Sequence, residues 1–122
     1  MSRKVMIVDD EPEVRDAVCH HLTQKGMEAV SASGYEECLN HLKGGFTGVI
    51  FMDLIMPKKD GWDTIHEIVK HGYDKNASII LLTASIDPVP AKSQGLVKYV
   101  ADYIHKPTDL EELVKAARKY LS

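Results

Sequence analysis

The sequence predicts an α/β fold: a doubly wound three-layer sandwich, with a parallel five-stranded sheet between two layers of helices. Three observations predict it. Short continuous apolar runs, rich in β-branched residues, recur from end to end. Amphipathic stretches with helical spacing separate them. The chain has 122 residues, which suits one domain spanning 1–122.

The first run, Lys4 to Val8, reads as a buried strand and stops at Asp9-Asp10-Glu11-Pro12. Pro12 suits the first turn of a helix, with Asp10 or Glu11 near the cap. Val14, Ala17, Val18 and Leu22 carry that helix, and Gly26 stops it. Met27 to Ser31 alternates and reads as a weaker edge strand. Tyr35, Cys38, Leu39 and Leu42 mark a second helix, closed by Gly44-Gly45. Gly48 to Met52 is a third strand and stops at Asp53. Leu54 to Gly61, with Pro57 and Asp60-Gly61, is a loop. Ile65, Ile68 and Val69 carry a third helix ending near Gly72, and Trp62 at its start is expected to be half-buried. Ser78 to Leu82 is a fourth strand and stops at Thr83. Pro88 and Pro90 delay the next helix, so a short one over Ala91 to Lys98, weakened by Gly95, is expected to start late or be mobile. Val100 to Ile104 is the fifth strand, followed by Lys106-Pro107. Leu110, Leu113, Val114, Ala117 and Leu121 form the stripe of a last helix, capped by Thr108 or Asp109. Five βα units imply a parallel sheet covered on both faces.

Composition narrows the function. Hydrophobic residues make up 44% and charged residues 27%, the balance of a folded soluble domain. The net charge of −3 speaks against direct nucleic-acid binding. No apolar run approaches the ~20 residues that span a bilayer, and the first residues do not read as a signal peptide. Cys19 and Cys38 form no CxxC pair and read as packing residues. The six histidines show no metal-ligand spacing and read as solvated. A cytoplasmic location without a membrane partner is expected.

The chemistry gathers at the strand ends. In an open parallel sheet, ligands sit beyond the carboxyl ends of the strands. Those ends carry Asp9, Asp10, Asp53, Thr83 and Lys106. Carboxylates held together repel one another, and a cation relieves that repulsion. Oxygen donors without His or Cys favour Mg²⁺, which also takes phosphate oxygens. Beside it a carboxylate can act as nucleophile and form an aspartyl-phosphate, with Lys106 adding a second positive charge. Singly, each residue has a plain structural reading: a helix cap, a turn residue, a solvated lysine. Their joint placement at one sheet edge weakens those readings.

Four motifs carry a resemblance that covers essentially the whole chain: Val8-Asp9-Asp10-Glu11-Pro12, Phe51-Met52-Asp53 through Met56-Pro57 to Asp60-Gly61, Leu81-Leu82-Thr83-Ala84, and Asp102-Tyr103-Ile104-His105-Lys106-Pro107. The chain resembles the receiver domain of response regulators in two-component systems, a CheY-like, flavodoxin-like fold. The resemblance implies strand order 2-1-3-4-5. It implies that Asp53 accepts a phosphoryl group from a sensor histidine kinase or a histidine phosphotransfer protein. It further implies Mg²⁺ (or Mn²⁺) held by Asp9, Asp10, Asp53 and the backbone carbonyl of Ile55. Thr83, Ala84 and Lys106 would meet the phosphoryl group, Thr83 and Tyr103 would switch together, and the Lys106-Pro107 peptide would be cis. Ile55 and Ser85 would tune the lifetime of the phosphorylated state. The resemblance leaves the output partner or domain open and implies a monomer or a weak phosphorylation-dependent dimer. Such a protein has no separate substrate and is not an enzyme in the ordinary sense.

Other functions fit less well. A haloacid-dehalogenase-type phosphatase needs DxD after the first strand, where this chain has Asp9-Asp10-Glu11. A flavin-binding module needs a hydroxyl- and glycine-rich phosphate loop there, and these acids are its electrostatic opposite. The alternative of a degenerate receiver, acting only as a protein-interaction module, conflicts with the full acid, Thr and Lys set.

Overall fold

A computed structural model describes residues 4–56, 58–84 and 88–121. Five strands form one parallel sheet: β1 (Lys4–Val8), β2 (Glu28–Ala32), β3 (Gly48–Asp53), β4 (Ala77–Thr83) and β5 (Val100–His105). Their order is β2-β1-β3-β4-β5, as expected. Four α-helices pack on it: α1 (Pro12–Gln24), α2 (Tyr35–Lys43), α3 (Gly61–Lys70) and α4 (Leu110–Leu121).

Alternation along the strands builds two cores. Val5, Ile7, Val49, Phe51, Ile80 and Leu82 face Val18 and Leu22 of α1 and Leu113, Val114 and Ala117 of α4. Met6, Val8, Ile50, Met52, Ile79 and Leu81 face Cys38 and Leu42 of α2 and Trp62, Ile65 and Ile68 of α3. The central strands are apolar on both faces because both faces are covered. β2 is an edge strand with only Ala32 buried, matching its weaker pattern. Burying a large aliphatic or aromatic side chain stabilises the fold by about 1.5–3 kcal/mol, so these stripes drive the layering.

Two expectations need correction. Trp62 is buried, with 4% of its surface exposed, and is not half-buried. Its neighbour Gly61 packs closely on the end of β3, and the Trp62 indole joins the core cluster with Met52, Met56 and Leu81. The fourth crossover is not an α-helix: Ala91–Tyr99 forms a nine-residue 3₁₀ stretch. Such runs rarely exceed about four residues. It starts after Pro90, so the late start stands among the described residues. Ile86, Pro57 and Ser85, singled out in the sequence, lie outside those residues.

Local chemistry sets the ends that matter for the site. Asp60 caps α3: its carboxylate accepts the Asp63 N–H at 2.9 Å, and the Asp63 carboxylate accepts the Asp60 N–H at 3.1 Å. This reciprocal box fixes where the loop from Asp53 rejoins the helix. Asp109, not Thr108, caps α4, accepting the Glu112 N–H at 2.9 Å. Glu11 is the N-cap of α1 but makes no capping bond through its side chain.

Candidate functional site

The carboxyl edge of the sheet brings the predicted residues together. Asp9 follows β1, Asp53 ends β3, Thr83 ends β4 and Lys106 follows β5. Carboxylate oxygens of Asp9, Asp10 and Asp53 lie within 4.8 Å of one another. Lys106 Nζ stands 3.3 Å from Asp53 Oδ1. The Ile55 N–H donates to the same Asp53 oxygen at 3.3 Å. Thr83 is buried, and its carbonyl accepts the Lys106 N–H at 2.8 Å, which aligns the end of β5 beside β4. Ala84 is exposed next to it. The Lys106-Pro107 peptide is cis.

Asp9 is the most constrained member. Its N–H donates to Ala32 at 3.1 Å, and Oδ1 accepts the Glu11 N–H at 2.9 Å. Its carbonyl accepts a bond from Arg15 Nη1 at 2.8 Å. Its other carboxylate oxygen, Oδ2, is buried and has no hydrogen-bond partner. Burial raises the Asp9 pKa, and the charges of Asp53 and Asp10 raise it further, against the Glu11 hydrogen bond and Lys106. A buried carboxylate oxygen without a donor is costly unless a cation faces it. Three carboxylates and no nitrogen or sulfur donor match a hard divalent cation such as Mg²⁺ or Mn²⁺. The residues present therefore fit the ion that the sequence implies.

A second feature borders the site. A cavity of about 490 Å³ lies beside the strand ends, lined by Met56, Trp62, Leu81, Thr83, Val89 and Tyr103, among others. Tyr103 is 38% exposed at its mouth. Partial burial raises the Tyr103 pKa, so its phenol stays protonated at neutral pH. Thr83 and Tyr103 therefore line one cavity, although they stand on different strands.

Sequence reasoning missed Arg15. Its link to Asp9 spans six residues, which is not a helical spacing. One signal was present: a cation near the start of a helix opposes the helix dipole, so it asks for a specific reason.

A model of the response regulator receiver domain matches residues 5–118, and the chain belongs to that family, the receiving component of two-component signalling. A receiver domain protein from Methanospirillum hungatei has the same fold, with 42% identity, a TM-score of 0.91, and coverage of 97% of this chain and 93% of that one. A response regulator from Thermotoga maritima, solved in complex with Mg²⁺-BeF, is 30% identical with a TM-score of 0.77, covering 98% of each chain. The phosphate regulon transcriptional regulatory protein PhoB of Escherichia coli is 30% identical over 114 residues, which are 93% of this chain and 49% of PhoB. The chain thus spans about half the length of the curated relatives it matches.

Proposed function

We infer that this receiver is a working phosphoacceptor, with Asp53 as the residue modified. The observation that carries the reading is the convergence of Asp9, with its orphaned buried oxygen, and Asp10 on Asp53, which is paired with Lys106. The donor is a phosphohistidine on a sensor histidine kinase or a histidine phosphotransfer protein. An Asp53 carboxylate oxygen attacks phosphorus, the P–N bond to the imidazole breaks, and its electron pair stays on the ring nitrogen. The product is an acyl phosphate on Asp53.

Asp9, Asp10, Asp53 and the Ile55 carbonyl would hold Mg²⁺ or Mn²⁺. When bound, the ion supplies positive charge against the phosphoryl oxygens. The chain's own residues do the positioning. The Ile55 N–H and the Lys106 ammonium hold one Asp53 oxygen from two sides. Lys106 then follows the developing negative charge onto the phosphoryl group. The Thr83 hydroxyl and the Ala84 N–H are the nearby neutral donors. Because phosphoryl transfer needs little covalent help, alignment and charge are enough.

Thr83 turning toward the new group would free space in the cavity that it shares with Tyr103, and the phenol would move inward. A local charge event would thereby reshape the surface of β5. That surface would address an output partner or domain. The receiver itself would contact neither nucleic acid nor membrane, would work in the cytoplasm as a monomer or weak dimer, and would act on no separate substrate.

The test is incubation with acetyl phosphate, with and without Mg²⁺, followed by intact mass. One Mg²⁺-dependent phosphoryl adduct, lost in Asp53→Asn, is expected. An equal adduct in the variant would overturn the assignment.

A further inference from the structure

The bond from Arg15 to the Asp9 carbonyl points to a task beyond charge. Arg15 stands in α1, bonded to the residue that carries one of the three clustered carboxylates, and among the described residues the ion pair made to that cluster is the one from Lys106 to Asp53. A guanidinium recruited to neutralise them would take a carboxylate, where bidentate geometry is strongest. Arg15 does not. Among the described residues its guanidinium bonds the main-chain oxygen of Asp9 at 2.8 Å and makes no ion pair.

We propose that Arg15 is a positioning residue that sets the divalent-cation affinity of the site by fixing the turn between β1 and α1. Asp9 has four hydrogen-bonding atoms. Ala32 takes its N–H, Arg15 its carbonyl and the Glu11 N–H its Oδ1. Only Oδ2 is left, buried and open. The three bonds come from β2, from α1 and from the turn itself, so the residue is held from three directions. The next residue, Asp10, inherits the same backbone orientation and is exposed on the rim. Fixing the main chain of Asp9 therefore aims two ligands at once. Groups that orient metal ligands without touching the metal typically change affinity by about tenfold or more. The inference rests on the reading that this acid cluster holds Mg²⁺.

The sign of the effect separates positioning from charge. Replacing Arg15 by Met removes a positive charge close to the acids. By Coulomb's law alone, that tightens the binding of a divalent cation. Loss of positioning loosens it.

The experiment is a Mg²⁺ titration of the intact protein followed by backbone amide shifts, with thermal melting in parallel. Wild type, Arg15→Met, Arg15→Lys and Asp9→Asn are compared. Arg15→Met is expected to bind Mg²⁺ roughly tenfold more weakly. Arg15→Lys, which keeps a donor and the charge, is expected to recover part of the affinity. Asp9→Asn is expected to lose the saturable shifts. Equal or tighter Mg²⁺ binding by Arg15→Met overturns the proposal and leaves the metal reading standing. No saturable shift in wild type overturns the metal reading, and this proposal with it. Should Arg15→Met lose its dispersed spectrum, Arg15→Lys decides: weaker Mg²⁺ binding at an unchanged melting temperature supports positioning through the Asp9 carbonyl, and affinity equal to wild type overturns it. A loss in Arg15→Lys that tracks its melting temperature indicates a merely structural role and overturns the proposal.

Discussion

Lys106 Nζ reaches Asp53 Oδ1 at 3.3 Å across the end of β4, joining two strand ends that are not neighbours in the sheet. Lys106 keeps about a third of its side chain exposed, whereas the Asp53 side chain is 10% exposed. A half-solvated pair of this kind contributes little to stability. In the proposed transfer its value lies in placing a cation where negative charge would arrive. Lys106→Met should therefore fold with a melting temperature close to wild type. Adduct formation from acetyl phosphate should slow by on the order of a hundredfold. An unchanged rate, read by intact mass against time, would remove Lys106 from the chemistry.

Asp9 gives a prediction with opposite signs in two assays. Its folded pKa is raised, first by burial, so folding disfavours its charged form. Stability is full below the unfolded value of 3.8 and falls as pH rises toward and through the raised folded value. Above that window the folded state carries a buried charge it would rather lack. Asp9→Asn should thus raise the melting temperature at neutral pH in metal-free buffer, while abolishing stabilisation by Mg²⁺. Wild type should gain about 1.4 kcal/mol at tenfold Kd of Mg²⁺. A lower melting temperature for Asp9→Asn without metal would contradict this.

Gly61 is the close-packed point beneath the loop that follows Asp53. A Cβ there would lie 3.0 Å from Leu54 Cα, 3.1 Å from the Asp53 carbonyl oxygen and 3.2 Å from Leu81 Cδ2. Two of the three are backbone atoms and cannot rotate away. The Gly61 N–H also donates to the Leu54 carbonyl at 2.8 Å, closing the loop tightly. Gly61→Ala should cost about 1–3 kcal/mol by overpacking. A urea midpoint equal to wild type, at the same slope, would show that the loop yields freely.

Trp62 should report on the proposed switch without lying in the acid cluster. It is 4% exposed and lines the cavity that Thr83 and Tyr103 also line. Beryllofluoride with Mg²⁺ should change its emission, since entry of the Tyr103 ring alters the indole environment. Tyr103→Ala and Thr83→Ala should each diminish the change. A full response in both variants would detach this cavity from the switch.

Much of the fold was legible because its signals are local. The run Lys4–Val8 is the strand β1 to the residue, since it is apolar on both faces and ends at charged Asp9. The acids, Thr83 and Lys106 could be placed together because parallel strands put their carboxyl ends on one edge. What stayed hidden depends on three-dimensional closure. Pro88 and Pro90 announced a late start after β4, but whether Ala91–Tyr99 closes α or 3₁₀ bonds is not written in its composition. Trp62 reads as half-buried at the start of its helix, and its full burial follows from the packing of α3 on the sheet, which no local pattern states. The Arg15–Asp9 bond exists only through the turn at Asp10-Glu11-Pro12, so no helical spacing reveals it.

The central claim is that Asp53, and not a neighbouring acid, carries the phosphoryl group. Borohydride reduction of the phosphorylated protein, followed by peptide mapping, tests it directly, because hydride converts an aspartyl phosphate to homoserine. Homoserine at position 53, requiring Mg²⁺ during phosphorylation, is the expected result. Homoserine at Asp9 or Asp10, or none in a protein whose mass shows the adduct, would contradict it.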